Sequence, residues 1–170
     1  VRCFLKDGEG FIWIGTTKGL ARYDGYQFQH CTRASGFSIS DDNINKLLQD
    51  ESGKIWIGTE MGGINIYDPF ADTLFALRYK QDSNSIASDR IMSMTESEKY
   101  IWAGHDNAAG LSRINKETLE IKVYNPHKNL PDEGLRSIRK TIVDKSQPHI
   151  LWITSTTHGL LNMDTLKEEF

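Results

Sequence analysis

The sequence has little cysteine, little proline, no excess of one charge and no long apolar run. Its 170 residues include two cysteines and four prolines, and no stretch approaches the roughly 18 apolar residues that a membrane-spanning helix needs. The 20 basic and 23 acidic residues are intermixed and give a net charge of −3, which argues against a nucleic-acid partner. An apolar content of 38% with 25% charged residues excludes a disordered chain.

No signal peptide is found, but this absence excludes nothing about location. The sequence begins inside one predicted strand and ends inside another, so we expect a fragment of a longer protein.

All four tryptophans occupy one slot of an internal repeat. The segment Ile12–Thr16 returns with the same sequence at Ile55–Thr59, and weaker copies follow at Ile101–His105 and Leu151–Ser155. The tryptophans are 43, 46 and 50 residues apart. A repeat of about 40–45 residues that consists of short strands is typical of propeller blades.

Each repeat reads as four short strands separated by turn residues. In the second repeat these strands are Ile44–Leu48, Ile55–Thr59, Ile64–Tyr67 and Thr73–Tyr79. Asp-Gly, Gly-Gly and Asp-Pro turns between such strands indicate an antiparallel meander, and the absence of 3.6-residue periodicity predicts almost no helix. The sequence therefore predicts an all-β, partial β-propeller of four four-stranded blades. The blades are expected at about residues 1–33, 41–80, 88–125 and 134–170.

The strand that carries each tryptophan is continuously apolar, which indicates burial on both faces, as in a blade packed between two neighbours. The glycine after Ile-Trp-Ile is expected to let neighbouring backbone approach closely. Thr154 replaces it in the fourth repeat, where packing should differ. We also expect Trp56, in an inner blade, to contribute more stability than Trp13 in a terminal blade.

Cys3 and Cys31 fall on the first and fourth strands of the first blade. Strands about 4.8 Å apart place them roughly 14 Å from one another, whereas a disulfide needs Cα atoms within about 7 Å. Both thiols are therefore expected to be unpaired.

Two segments and one connection resemble the two-component regulator propeller repeat. The segments Asp7–Asp24 and Asp50–Asp68 share the pattern Asp-x-x-Gly-x-Ile-Trp-Ile-Gly-Thr-x-x-Gly-Gly/Leu-x-x-Tyr-Asp, and Ser85–Ile91 resembles the connection between blades. The resemblance implies the periplasmic sensor region of a hybrid two-component histidine kinase of the Bacteroidetes type. In that family an immunoglobulin-like domain, a membrane span and a kinase follow the propellers.

Signatures of catalysis and of metal binding are missing. The five histidines lack zinc-ligand spacing, and no nucleophile elbow or P-loop occurs. Asp7, Asp50 and Asp144 fall in hairpin turns, where aspartate ordinarily accepts backbone hydrogen bonds. Asp41, Asp42 and Asp89 lack the spacing of a calcium loop. We therefore predict no enzyme activity in this chain, no metal and no cofactor.

One face of the predicted blades gathers longer polar loops, and variable loops on a rigid scaffold commonly carry recognition. Arg90 begins an innermost strand, so its guanidinium could reach the channel mouth and meet carboxylates of acidic sugars. Each residue of the set also fits an ordinary solvated loop. The predicted ligand-binding residues are Lys18, Glu60, Arg90, His105, Asp106, Asn107 and His158.

Three functions remain open at this stage. The first is a periplasmic propeller that senses an oligosaccharide and relays the signal through dimerisation, with no direct contact to nucleic acid or membrane. The second is a propeller that binds only proteins, and the third is a propeller lyase or glycoside-processing enzyme. An open arc of blades would expose apolar flanks, expected at Val1, Phe4, Ile12, Ile14 and Tyr23 on one side and at Ile142, Leu151, Ile153 and Leu161 on the other. Homodimers that close the ring would cover them.

Overall fold

The computed structural model describes residues 1–31, 37–106, 109–124 and 137–170. Within these ranges the chain forms fifteen β-strands and no helix, so no helix of the described part is long and apolar enough to cross a membrane. The strands are β1 (Cys3–Lys6), β2 (Ile12–Thr16), β3 (Gly19–Tyr23), β4 (Phe28–Cys31), β5 (Ile44–Gln49), β6 (Ile55–Thr59), β7 (Ile64–Asp68), β8 (Thr73–Leu77), β9 (Ile91–Glu96), β10 (Tyr100–His105), β11 (Leu111–Asn115), β12 (Ile121–Tyr124), β13 (Ile138–Val143), β14 (Ile150–Ser155) and β15 (Gly159–Asp164).

The strands form four antiparallel sheets in chain order, which confirms the predicted all-β, partial β-propeller. The first three sheets, β1–β4, β5–β8 and β9–β12, are four-stranded meanders, and we call them blades one to three. Blade four has only β13–β15. The fourth strand predicted for this blade, at Leu166–Phe170, is wrong. The chain turns after Asp164, and Glu169 forms only an isolated β-bridge with Asp164.

The blades divide into two compact units. Unit 1 comprises Val1–Arg78 with Asp89–Ile91, and unit 2 comprises Tyr79–Ser88 with Met92–Phe170. Blades one and two lie in unit 1. Blade four and nearly all of blade three lie in unit 2.

A turn residue before each tryptophan accepts the indole N–H. The donor–acceptor distances are 2.7 Å for Trp13 to Asp7, 2.7 Å for Trp56 to Asp50, 3.1 Å for Trp102 to Ser97 and 2.9 Å for Trp152 to Asp144.

The same aspartates close their own hairpin turns. The second carboxylate oxygen of Asp7 accepts the backbone N–H groups of Glu9 (3.1 Å) and Phe11 (2.9 Å). This confirms the structural interpretation of the turn aspartates, and it shows why one residue type at this position fixes both the turn and the orientation of the indole ring.

The core of unit 1 forms where the indole of blade one meets blade two. The Trp13 ring lies 5.8 Å from the Tyr67 ring, and Ile44, Ile55 and Ile57 complete the same fully buried cluster. Trp13 is only 2% exposed. This burial does not support the expected smaller contribution of Trp13 to stability, because the indole projects toward the following blade rather than toward the open flank.

In unit 2 the corresponding cluster contains Trp102, Leu151, Ile153 and Met163, all essentially inaccessible to solvent. Trp152, by contrast, is half-buried. It lies directly opposite the exposed Ile142 across the β13–β14 pair, and residues that face one another across strands share a face of the sheet.

The predicted exposed flanks are partly correct: Val1, Phe4 and Ile12 of blade one are exposed and Ile14 and Tyr23 are half-buried, whereas the prediction is wrong in part for blade four. Phe4 is 68% exposed and Val1 75% exposed. Leu151 and Ile153 are fully buried, because they alternate with Trp152 and so occupy the opposite face of β14.

The glycine after each Ile-Trp-Ile or Ile-Trp-Ala segment makes room for an isoleucine of the next innermost strand. At Gly15, a Cβ atom would lie 2.7 Å from the Cγ2 atom of Ile44 and would overlap the Cys3 sulfur. Thr154, the fourth-blade counterpart, is half-buried.

Gly104→Ala is expected to lower the free energy of unfolding by about 1–3 kcal/mol, the usual cost of overpacking a core. The added Cβ atom would lie 2.8 Å from the Cβ atom of Ile138 and would also overlap the Ser93 hydroxyl. Urea unfolding measures the loss. Gly8→Ala is the control, because its added methyl would approach no atom closer than the Gln49 Oε1 at 3.8 Å; equal losses in the two variants would contradict the close approach.

Candidate functional site

In unit 1, the loop between β6 and β7 places the Glu60 carboxylate beside the beginnings of the innermost strands. The Thr59 hydroxyl donates to the Gly63 carbonyl (2.8 Å) and accepts the Gly62 N–H (2.9 Å), which fixes a tight loop. The Glu60 N–H donates to the Asn43 carbonyl at 2.9 Å, one residue before β5. Local hydrogen bonding therefore determines where this carboxylate lies.

Three side chains converge on the Glu60 carboxylate. Its Oε1 atom accepts from Arg90, whose Nε lies at 2.6 Å and whose Nη2 forms a second contact. Its Oε2 atom accepts from the Asn45 Nδ2 (2.9 Å) and the Arg2 Nη1 (3.3 Å). Arg2 also donates to the Asn45 Oδ1 atom, so the four residues form one network, which we call the Glu60 cluster.

The three partners of Glu60 in the cluster are far apart in sequence, but each lies at the beginning of an innermost strand. Arg2 precedes β1, Arg90 precedes β9, and Asn45 lies at the register shift between Ile44 and Lys46 in β5. The sequence analysis identified Glu60 and Arg90 and missed Arg2 and Asn45. Their shared position at the start of an innermost strand was the signal that could have identified them.

The Glu60 cluster is partly buried and holds its carboxylate ionised. The Glu60 side chain is 16% exposed, whereas those of Arg2 and Arg90 are 40% and 43% exposed. Burial by itself raises the pKa of Glu60, but hydrogen bonds from Asn45, Arg90 and Arg2 outweigh it and hold the pKa below its ordinary value of 4.5. Two guanidinium groups thus reach solvent above a fixed negative charge.

The stabilisation from Glu60 is expected to disappear in acid. A carboxyl whose pKa is lowered by folding stabilises the protein above the unfolded pKa of 4.5, and the contribution is lost as the pH falls through the folded value. We expect Glu60→Gln to cost about 1 kcal/mol near neutral pH and less at an acidic pH well below 4.5. Urea unfolding of both proteins at the two pH values measures this difference, and a cost independent of pH would contradict it.

In unit 2, His105 occupies the slot of Thr59 and is buried rather than available on the loop surface. Its side chain has no solvent exposure, and its Nε2 atom lies 2.8 Å from the Ser112 hydroxyl. That hydroxyl also accepts the Ala87 N–H at 3.0 Å, which ties the Ser85–Ile91 connection to blade three. We therefore place His105 in the scaffold and not in the candidate surface.

The neighbouring Asp106 repeats part of the Glu60 arrangement. Its Oδ1 atom accepts the Ser137 hydroxyl at 2.5 Å, and Ser137 precedes β13 as Arg90 precedes β9. A neutral hydroxyl here replaces a guanidinium, so this position offers less positive charge.

The remaining predicted residues do not join these clusters within the described ranges. Lys18 is exposed in the β2–β3 loop, where its N–H donates to the Thr16 hydroxyl at 3.0 Å. His158 is half-buried, with its Nδ1 atom 2.8 Å from the Thr157 hydroxyl. Asn107 lies outside the described residues.

The described ranges contain no group of three or more histidine, cysteine or carboxylate side chains placed to hold a metal ion. Cys3 and Cys31 are free thiols, as predicted. Burial raises the pKa of both, which keeps them protonated at neutral pH.

Comparison with known proteins identifies the repeat. The model of the two-component regulator propeller family matches residues 1–18 and 38–61. None of the curated proteins compared with the sequence matches it.

Solved structures share the fold over nearly the whole chain. The extracellular domain of a hybrid two-component system from B. thetaiotaomicron is 22% identical with a TM-score of 0.83, covering 98% of this chain and 23% of its own. That of a second such system from the same organism is 26% identical with a TM-score of 0.73, covering 100% and 21%. PorZ, a surface component of the type-IX secretion system of Porphyromonas gingivalis, is 15% identical with a TM-score of 0.69, covering 97% and 26%.

The chain thus spans about a quarter of the length of each of these proteins. The chain is a partial β-propeller in which residues 1–18 and 38–61 match the model of the two-component regulator propeller family.

Proposed function

We propose that this chain is part of the periplasmic sensor propeller of a hybrid two-component histidine kinase, and that it binds an acidic oligosaccharide at the Glu60 cluster. The matching repeats and the extracellular structural relatives support the sensor role. The observation that carries the ligand assignment is the pair of half-exposed guanidinium groups, Arg2 and Arg90, held on one ionised carboxylate.

The contacts of the Glu60 carboxylate illustrate how the cluster would bind the carboxylate of a ligand. The Arg90 guanidinium contacts the Oε1 atom of the Glu60 carboxylate through both Nε and Nη2, and a planar guanidinium is well suited to carboxylates. A uronic-acid carboxylate would compete with Glu60 for the two arginines, while sugar hydroxyls could bond to Asn45. Glu60 therefore acts as an internal competitor that sets how strongly an acidic sugar binds.

Calorimetric titration with an oligogalacturonate tests the proposal. Arg90→Met is expected to weaken binding about tenfold or more, since one hydrogen-bonded charge contributes about 1.5–3 kcal/mol. Glu60→Gln is expected to strengthen it by removing the competing charge. Arg22→Met, in β3 and outside the Glu60 cluster, is the matched control and should bind like the unaltered chain.

Chemical-shift mapping with the same oligogalacturonate locates the site. Perturbations centred on Arg2, Asn45 and Arg90 are expected. Perturbations confined to the hairpin turns, or an Arg90→Met variant that binds normally, would overturn the assignment.

For this chain taken by itself, we also propose self-association through the exposed flank of blade one. Phe4, Ile14, Tyr23 and Phe28 lie on one face of the sheet, with Phe4 and Phe28 68% and 56% exposed. The equivalent face of blade two, with Leu47, Ile57 and Tyr67, packs against Trp13. We assign this flank to the tryptophan-bearing face of a second copy, where Trp152 is half-buried.

Light scattering of the chain and of Phe4→Glu tests this self-association. A dimer that dissociates in the variant is expected, and a monomer at high concentration would overturn it.

A catalytic role lacks comparable support. The carboxyl groups with a resolved shift, Asp24, Glu60, Asp144, Asp164 and Glu168, all have lowered pKa values, whereas a general acid requires a raised one. We therefore propose a binding rather than an enzymatic function for this chain.

A further inference from the structure

Unit 2 contains a cavity of about 620 Å³ between the hairpin turns of blades three and four. One wall carries Tyr100, Trp102 and Arg113 from blade three, and the other carries Val143, Pro148 and His149 from blade four. The volume falls within the range of about 300–1,000 Å³ typical of small-molecule sites. These residues are distinct from the Glu60 cluster, which lies in unit 1.

The hairpin turn of blade three beside this cavity is shorter than its counterparts. The turn between β9 and β10 spans only residues 97–99, whereas the corresponding turns of blades one and two span residues 7–11 and 50–54. Ser97 also replaces the turn aspartate and accepts the Trp102 N–H. In unit 1, a cavity of about 300 Å³ between the hairpin turns and another of about 610 Å³ both border Trp13 and Arg22, so space beside the paired tryptophan and arginine occurs in both units.

A fixed polar platform lines the cavity. The Arg113 guanidinium lies 4.6 Å from the centre of the Tyr100 ring and donates to the Glu168 Oε1 atom at 3.1 Å. The Tyr124 hydroxyl donates to the same oxygen at 2.7 Å, and Lys122 contacts the other carboxylate oxygen. Stacking and ion pairing thus hold a guanidinium and a carboxylate in place before any ligand arrives.

The charges of the lining balance. Glu98 and Glu168 oppose Lys99 and Arg113, so the ionised residues sum to zero and favour a neutral ligand. Val143, Pro148 and Leu166 add apolar surface, and Leu166 is 79% exposed. A neutral sugar ring matches this combination, because it has apolar C–H faces and hydroxyl groups at its edge that can bond to a guanidinium, a carboxylate and an imidazole.

We infer that this cavity is a second binding site, specific for a neutral hexose unit, on the side of the blades that carries the hairpin turns. It does not depend on the acidic site at the Glu60 cluster. The two proposals fail separately, because they concern different probes, different residues and different units.

Chemical-shift titration of the chain with methyl hexosides (glucoside, galactoside and mannoside) tests the inference through the four indole N–H signals. The Trp102 signal is expected to shift while that of Trp56 stays in place. Arg113→Met is expected to weaken binding about tenfold or more. Arg22→Met, the equivalent position opposite Trp13, is the matched control and should leave binding unchanged.

His149→Trp provides an independent variant, since the larger indole narrows the cavity and should reduce the Trp102 shift. No Trp102 shift with any of the three hexosides would overturn the inference. Equal weakening in Arg113→Met and Arg22→Met would also overturn it.

Discussion

Replacement of Trp56 by alanine is expected to lower the free energy of unfolding by about 3–5 kcal/mol, the usual cost of removing a large aromatic side chain from a core. Trp56 has no solvent exposure, and its indole N–H donates to Asp50 at 2.7 Å. Trp13→Ala is expected in the same range because Trp13 is 2% exposed. Urea unfolding followed by circular dichroism measures both losses.

Trp152→Ala is the matched comparison, with an expected loss of only about 1–2 kcal/mol because a half-buried ring removes less apolar surface from water. Its N–H also bonds to a turn aspartate, Asp144, at 2.9 Å, so the comparison isolates packing from hydrogen bonding. A loss at Trp152 as large as that at Trp56 would show that the described burial does not determine stability.

Asp50→Ala is expected to lower the free energy of unfolding by about 3 kcal/mol, because several hydrogen-bond donors lose the same buried acceptor. Asp50 is 4% exposed. Its Oδ1 atom accepts the Ser52 N–H (2.9 Å), the Ser52 hydroxyl (2.7 Å) and the Lys54 N–H (3.0 Å), while its Oδ2 atom accepts the Trp56 indole. Asp50→Asn should cost less, since it preserves the Oδ1 contacts but turns an NH₂ group toward the indole N–H.

Asp68→Ala is the control for Asp50. Asp68 accepts only turn N–H groups, those of Phe70 and Ala71 at 3.0 and 3.1 Å, and holds no indole. Its loss is expected at about 1 kcal/mol or less. Thermal and urea unfolding of the three variants give the ranking, and similar losses at Asp50 and Asp68 would contradict the role assigned to the indole bond.

The repeat by itself was enough to predict the blades. The tryptophan slot, the turn aspartates and the glycine that follows are local signals, because strand alternation and turn hydrogen bonds act over a few residues. They correctly indicated an all-β partial propeller, unpaired cysteines and structural roles for Asp7, Asp50 and Asp144. These local signals did not predict the end of blade four correctly, because its last segment forms a single bridge at Glu169 instead of a strand.

Only the tertiary structure decided which side chains share an environment. Arg2 and Glu60 are 58 residues apart, and Arg90 and Glu60 are 30 apart, so no local sequence pattern predicts that their side chains are in contact. His105 reads as a polar loop residue, yet its position at the end of β10 turns it into the core toward Ser112. The exposed flanks depend in the same way on which face of a strand meets the next blade. The period of the sequence repeat determined the strands, and packing between neighbouring blades determined which strand faces are buried and which are exposed.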